Sequence, residues 1–510
     1  MGRSGFYITT AIDYVNAKPH LGHAVEKVGA DCMARYRRLC GESVRFTIGT
    51  DEHSGNVAKR AAEEGLTPRE YCDRMVESFT EAWRGLLISY DDFVRTTEER
   101  HHVSVARMMQ ALHDGGWIYK GDYEGWYCVS CESFYKESDL AEGNCPVHGT
   151  RPEWIKEKNY FFALSRFRDR LLAHVKENPG FILPATRRNE ILSLLEGGLL
   201  DVSASRASVK WGIPLPFDPT QITYIWFDAL TNYLTSCGYG EKDSESAGFW
   251  PADVHVIGKD ITRWHCVVWP AMLMGAGVEL PRSVFAHGFL NIEGEKISKT
   301  RGNVIYPGEL VARYGSDAVR YYLLREVKFE QDGNFSQEGF VQRVNSDLAN
   351  NLGNLLSRTS AMVAKYRDGA LPGWRPGTSM DGGIPEMIPL VYRSYVTAMD
   401  AFDFSGALEA VFSLLDRANR LVEETAPWKL ARDPSRSADL DVVLYTLCDT
   451  LRAAAIMLLP HIPSAAETML VQLGMSSYVR DARLDDAARF GLCPEGGVLP
   501  RGPALFPRVE

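Results

Sequence analysis

The chain has no long apolar run. Its hydrophobic stretches fall far short of the roughly 20 residues that a membrane-spanning helix requires. It also has no surplus of positive charge: 56 Lys and Arg against 66 Asp and Glu leave a formal net charge of −10. That excludes a protein that coats itself in nucleic acid through bulk charge, while leaving room for a local basic patch. A strand-like run begins at Phe6, which leaves no space before it for a signal or transit peptide. The sequence therefore predicts a cytoplasmic protein or a processed mature form. Clustered cysteine is scarce too. Most of the ten stand singly, as in a reducing compartment. There is no convincing internal repeat. What remains is an ordinary soluble composition, 45% hydrophobic and 24% charged over 510 residues, which predicts roughly two to four domains.

The order of patterns gives an α/β start. "FYITTAI" (6–12) reads as a buried strand, "HLGHAVEKVGADCMARYRRLCG" (20–41) as a helix ending at glycine, and "SVRFTIGTDEH" (43–53) as a second strand with a polar end. Residues 115 to about 220 break this rhythm with aromatics, turn formers and cysteines. Alternation resumes with "ITYIWFDA" (222–229), "DVHVIGKD" (253–260) and "SVFAHGFLN" (283–291), all read as strands. One doubly wound parallel-sheet domain, over 1–114 and 221–335, interrupted by an insertion over 115–220, explains the pattern. From about Ser336 the strands stop. Apolar residues at helical spacing in 343–366 and 407–428 predict a helix bundle over 336–510, with 369–389 as a Pro/Gly-rich loop inside it.

Ligands of an open α/β sheet bind beyond the carboxyl ends of its strands. Three polar signals fall there. "PHLGH" (19–23) opens a helix, whose free N–H groups and dipole suit phosphate. His20 and His23, at i and i+3, face the same way, and Gly22 lets a flat ring approach the backbone. Taken alone, two histidines capping a helix are the plainer reading, and no carboxylate at helical spacing completes a metal site. "GTDEH" (49–53) and "GKD" (258–260) carry carboxylates that suit an ammonium or a ribose hydroxyl, or are simply polar strand ends. The fourth signal is the loop "EGEKISKTRGN" (293–303). It follows a strand read as part of the same sheet. Its Lys296 and Lys299 could close over a triphosphate and neutralise charge on a leaving pyrophosphate, since such transfer is mostly positioning and electrostatics.

Cys128, Cys131, Cys145 and His148 form C-x₂-C, thirteen residues, then C-x₂-H. Two tight pairs of soft ligands suit one tetrahedral Zn²⁺, and four protein ligands make it structural. A redox pair or a disulfide are the alternatives, and the second half-site weighs against both.

"HLGH" early and "KISKT" late resemble the HIGH and KMSKS signatures of class I aminoacyl-tRNA synthetases. The closer resemblance, over essentially the whole chain, is to the methionyl-tRNA synthetase family, through "YITTAIDYVNAKPHLGH", "GTDEH", "YEGWYC", "YIWFDALTNYL", "HVIGKDITRWHCVVWPAML", "HGFLNIEGEKISKTRGN", "NNLGNLLSR" and "APWKL". The resemblance implies a Rossmann-like catalytic domain, an inserted zinc-knuckle connective domain and a helical anticodon-binding domain. It implies that ATP and L-methionine form methionyl-adenylate and that the methionyl group passes to the 2′-hydroxyl of the terminal adenosine of tRNA(Met). By this resemblance His20, Gly22, His23, Gly258, Asp260, His287, Lys296, Ser298 and Lys299 meet ATP, with His20, His23, Lys296 and Lys299 catalytic. Mg²⁺ accompanies the nucleotide. Asp51 binds the ammonium, and Ile12, Tyr14, Trp226, Ala229, Tyr233, Ile261 and His265 line the methionine pocket.

A flexible apolar substrate with a polarizable sulfur suits aromatic edges, and Tyr14 and His265 are expected to donate to that weak acceptor. Trp264 and Leu230 depart from the phenylalanine and proline of some members. Asn354, Arg358 and Trp428 match anticodon-reading positions. For Trp428 taken alone, a bundle-core tryptophan is the better reading. One set of zinc ligands is present where some members carry two. No appended tRNA-binding barrel is visible, so a monomer away from membranes is expected.

Three other readings remain. A different class I synthetase for a large aliphatic amino acid would carry a longer editing insertion than these about one hundred residues. A small-molecule nucleotidyltransferase would not need the helical third. A zinc-containing RNA-binding protein without catalysis would not need "HLGH", "GTDEH" and "KISKT" together.

Overall fold

A computed structural model describes residues 5–128, 133–146, 149–241, 244–297, 302–375, 379–500 and 502–510; the side chains of residues 133, 134 and 296 lie outside that description. The chain divides into two compact units, the first Met1–Pro19, Val44–Ala82 and Tyr90–His287, the second His20–Ser43, Trp83–Ser89 and Gly288–Glu510.

The first unit is built on a seven-stranded sheet in the order Asp13–Tyr14, Val44–Asp51, Phe6–Thr10, Val254–Gly258, Val284–His287, Ile182–Leu183, with Asp92–Arg95 also paired to Val44–Asp51. Every pairing is parallel. The strands read as continuous β-branched and aromatic runs because they are buried. Gly49 is required by close approach, since a Cβ there would lie 2.1 Å from the Val94 carbonyl oxygen and 2.9 Å from Ile12 Cγ2. Within the segment read as an insertion, 115–220, Ile182–Leu183 is a strand of the parallel sheet and lies between the helices Arg168–Glu177 and Ala185–Glu196, whereas Ile118–Cys128 pairs antiparallel along its length with Glu153–Phe162. Ser133–Tyr135 and Val202–Ser203 flank that pair.

Two of the expected strands differ. "ITYIWFDA" is not a strand of the parallel sheet: Asp218–Thr223 belongs to a separate three-stranded sheet, and Ile225–Leu230 is a helix. An apolar run of this length, buried at Phe227, Ala229 and Leu230, carries no period that separates strand from helix. "SVFAHGFLN" is two strands. Val284–His287 stays in the parallel sheet, whereas Leu290–Ile292 joins Glu295–Lys296 and Gly333–Phe335 in a small sheet of the second unit. The opening of the KISKT stretch therefore extends that small sheet and not the parallel one. Gly288 makes the departure possible. Its backbone donates to the Phe329 carbonyl, and a Cβ would meet the Gln331 carbonyl oxygen at 2.0 Å.

In the second unit, helix Leu21–Leu39 carries Arg37 and Arg38 in its last turn, where cations complement the dipole. Gly333–Phe335 is the last strand among the described residues, and helices follow. The segment read as one helix over 343–366 is continuous but wound as α, then π over Val344–Gly353, then α over Asn354–Tyr366. The predicted loop ends early, because helix Ile384–Asp400 accepts Pro385 in its first turn and contains Pro389. Helix Ser437–Leu458 is buried on all sides from Val442 to Leu458 and forms the bundle's centre. No helix among the described residues is long and apolar enough to cross a membrane.

Candidate active site

The strand ends of the parallel sheet gather the polar residues of the first unit. Tyr14 stands opposite Asp51 in register. Gly258 stands opposite His287, and a Cβ on Gly258 would lie 2.7 Å from an Asp260 carboxylate oxygen and 3.9 Å from His287 Nε2. Gly258, Asp260 and His287 thus come together, and so do Tyr14 and Asp51.

Trp226 and Ala229 sit on helix Ile225–Leu230 and Tyr233 on the next short helix, Asn232–Thr235. Ile261 ends a 3₁₀ turn, and His265 lies on the π-wound turn Trp264–Val268 that follows. His265 Nδ1 is 3.0 Å from the Ile261 carbonyl oxygen, and its Nε2 is 2.7 Å from the Tyr233 hydroxyl. A carbonyl only accepts, so Nδ1 carries the proton and Nε2 accepts from Tyr233. Trp226 stacks on Trp264 at 4.6 Å with the planes 4° apart. The residue that departs from phenylalanine is therefore the one that covers Trp226. One expectation changes. The Tyr14 hydroxyl donates to Ser54 Oγ at 2.5 Å and the His265 proton goes to Ile261, so both donors are engaged inside the protein. Buried polar groups need partners, and these found them locally.

Sequence reasoning passed over two buried carboxylate networks of the first unit. Glu52, fully buried, accepts from Arg95 at 2.7 and 3.0 Å, from Thr97 at 2.6 Å and from Thr50 at 2.7 Å. Asp228, also fully buried, accepts from His53 Nδ1 and His101 Nε2, each at 2.8 Å. The available signal was a carboxylate inside an otherwise apolar string, "WFDAL", and the second acid of "GTDEH".

In the second unit the two signature stretches meet. His20 caps helix Leu21–Leu39: its Nδ1 accepts from the Gly22 N–H at 3.1 Å, while His23 Nδ1 accepts from the His20 N–H at 3.1 Å. The rings lie 3.9 Å apart. With each Nδ1 accepting, the proton of each neutral ring is on Nε2, a donor suited to a phosphate oxygen. The Leu21 N–H donates to the Ile305 carbonyl at 2.9 Å, and a Cβ on Gly22 would lie 3.3 Å from Ile297 Cδ1. Ile305, just past the lysine–serine–lysine core, is therefore hydrogen-bonded to the first turn of the histidine helix, and Ile297 within the core lies near Gly22. The Lys296 backbone pairs with Asn291. Its side chain, and all of Ser298 and Lys299, lie outside the described residues.

Asn354 is exposed at the start of its helix. Arg358, one turn on, pairs with Glu423 at 2.7 Å, five residues before Trp428. Trp428 is 38% exposed, so the core reading of that residue does not hold.

Of the four cysteine-cluster residues, Cys131 and His148 lie outside the described residues. No group of three or more His, Cys, Asp or Glu among the described residues is placed to hold a metal. Cys128 and Cys145 are both buried and converge on one residue. Cys128 Sγ is 3.7 Å from Thr150 Oγ1, and the Cys145 N–H donates to the Thr150 carbonyl at 2.8 Å. One described cysteine of each pair thus approaches Thr150.

The family model described as "tRNA synthetases class I (M)" matches residues 6–151 and 136–360. The chain is 46% identical over 506 residues to the methionine–tRNA ligase of Caldanaerobacter subterraneus subsp. tengcongensis, covering 99% of this chain and 79% of that one. The chain belongs to the methionyl-tRNA synthetases. Within that family it is 44% identical over 519 residues to the Bacillus subtilis ligase, covering 99% of this chain and 78% of that one. Its structure matches Mycobacterium tuberculosis methionyl-tRNA synthetase in complex with methionyl-adenylate at a TM-score of 0.95 and 43% identity, covering 99% of both chains. The apo form of the same enzyme matches at 0.88 and 40% identity, covering 99% of this chain and 98% of that one.

Proposed function

We propose that this synthetase joins methionine to ATP as methionyl-adenylate, releasing pyrophosphate, and then passes the methionyl group to the 2′-hydroxyl of the terminal adenosine of tRNA(Met), releasing AMP. One observation carries the site assignment: the first turn of the histidine helix is hydrogen-bonded, Leu21 to Ile305, to the chain just past the KISKT motif, and Ile297 of that motif lies near Gly22.

In this reading His20 and His23 present Nε2 protons to the phosphates, and the adenine lies against Gly22. Gly258, Asp260 and His287 meet the nucleotide at the ribose end. Asp51 accepts from the methionine ammonium, leaving the carboxylate to attack the α-phosphate. Trp226, Ala229, Tyr233, Ile261, His265, Ile12 and Tyr14 surround the side chain. Lys296, Ser298 and Lys299 stabilise charge on the departing pyrophosphate. Mg²⁺ enters with ATP as part of the substrate. Cys128, Cys131, Cys145 and His148 hold one Zn²⁺, which supplies folding energy to the insertion and takes no part in the reaction. Asn354, Arg358 and Trp428 read the anticodon by polar contact and stacking. We assign the Rossmann-like catalytic domain to 1–114 and 221–335, the connective insertion to 115–220 and the anticodon-binding domain to 336–510, working in the cytoplasm.

The test is ATP–pyrophosphate exchange without tRNA, run with each of the twenty amino acids. Methionine alone should support exchange. Lys296→Ala and Lys299→Ala should slow turnover on the order of 100-fold with little change in methionine KM. Exchange with another amino acid would overturn the pocket assignment. No exchange from folded, zinc-loaded protein would overturn the activation reading itself.

A further inference from the structure

Three of the residues read as the methionine pocket, Trp226, Ala229 and Tyr233, ride on two very short helices, Ile225–Leu230 and Asn232–Thr235. Neither has a side-chain N-cap bond, and elements this short are not fixed by their own hydrogen bonds. Something else must hold them at the pocket. Asp228, between Trp226 and Ala229, is completely buried beside Phe227 and Leu230. A charge in such surroundings costs stability unless its partners are well placed.

Here both oxygens are matched. Oδ2 accepts from Nδ1 of His53, two residues beyond Asp51 at the end of strand Val44–Asp51. Oδ1 accepts from Nε2 of His101 on helix Glu99–Asp114. The other nitrogen of His101 is 2.8 Å from Thr235 Oγ1, so one imidazole grips the first short helix at Asp228 and the second at Thr235. Burial alone would push the Asp228 carboxyl up, but His53 and His101 outweigh it and hold it down to about 2, so the carboxylate persists at working pH.

We propose that Asp228 is a positioning residue for methionine: it locks the helix carrying Trp226 and Ala229 to the strand end carrying Asp51, fixing the spacing between the thioether surface and the ammonium anchor. This rests on the pocket reading above. Asp228 itself contacts no substrate; it acts through the elements it joins.

Asp228→Asn keeps the shape but turns one acceptor into a donor facing an imidazole N–H. In methionine-dependent exchange it should raise the methionine KM roughly tenfold or more while the ATP KM stays unchanged. His101→Gln, which keeps one of the two contacts, should shift the same constant in the same direction and less. It supplies the test if Asp228→Asn does not fold. A loss of active protein with both KM values unchanged would mean that the network only stabilises the fold, and would overturn the proposal. Asp51→Asn and Trp226→Ala separate the two readings. If they raise the methionine KM and the network variants do not, this proposal alone falls. If they too leave it unchanged, the pocket reading is wrong and the proposal falls with it.

Discussion

Asp31 and Arg320 form an ion pair, 2.7 Å apart, with both side chains fully buried. Asp31 lies in the middle of the histidine helix. It also accepts from Arg35 at 2.8 Å and from the Ser89 N–H and hydroxyl, each at 2.6 Å. Arg320 donates to the carbonyls of His461, Leu86 and Pro460 at 2.9 to 3.0 Å. The pair thus ties helix Leu21–Leu39 to the turn before helix Pro463–Gln472. Burial raises the Asp31 carboxyl, but Arg320, Arg35 and Ser89 outweigh it and leave it below the ordinary value. A depressed carboxyl contributes stability that is complete above its unfolded value of about 3.9 and is lost as pH falls through its folded value. Asp31→Asn leaves a buried guanidinium without its counter-charge, which should cost about 3 to 5 kcal/mol at pH 7. Urea unfolding across pH should show that gap constant from pH 7 to about 5 and narrowing only below about 4. Narrowing already between pH 7 and 5 would contradict a carboxyl held down by its partners.

At the scale of elements, the connective insertion is the piece whose stability should depend on metal. Its long strand pair, Ile118–Cys128 with Glu153–Phe162, ends where Cys128 and Cys145 approach Thr150, and among the described residues between those strands mostly exposed positions follow. Elemental analysis should return about one zinc per chain, and Cys131→Ser and His148→Ala should each lower it and speed hydrogen exchange at that end of the strand pair. Full zinc in both variants would remove those residues as ligands. Much of this architecture was legible. Four of the seven parallel strands were legible as β-branched and aromatic runs, and the histidine helix by its period and its terminal glycine, whereas Asp13–Tyr14, Asp92–Arg95 and Ile182–Leu183 are too short to carry a pattern of their own. "ITYIWFDA" was not legible, because a short, mostly buried apolar run reads alike as strand or helix. The division of "SVFAHGFLN" depends on Gly288 and on the Phe329–Gln331 backbone beside it, a contact between segments distant in sequence. For the same reason the motifs pointed to residues at the strand ends and the histidine helix, while Asp228, His53 and His101, which no local pattern joins, emerged only from the fold.

For the whole molecule the question is how a chain of net charge −10 engages a polyanion. Bulk attraction is absent, so affinity must come from a few local contacts. The exposed group of Asn354, Arg358 and Trp428 offers two physically different kinds. Arg358 is already paired with Glu423, which offsets its charge before RNA arrives. Trp428 offers a flat apolar face, and stacking by a base on such a face is worth about 1 to 3 kcal/mol by alanine substitution. Trp428→Ala should therefore raise the tRNA KM in aminoacylation roughly five- to a hundredfold. Methionine-dependent exchange, which needs no tRNA, should be unchanged. Stacking releases no counterions, so the slope of tRNA affinity against salt should be the same in variant and wild type even as affinity drops. A shallower slope would mean that Trp428 serves to position cations on phosphate. A parallel fall in exchange would mean that the substitution disturbs the fold, and the recognition role would have to be sought elsewhere on the bundle.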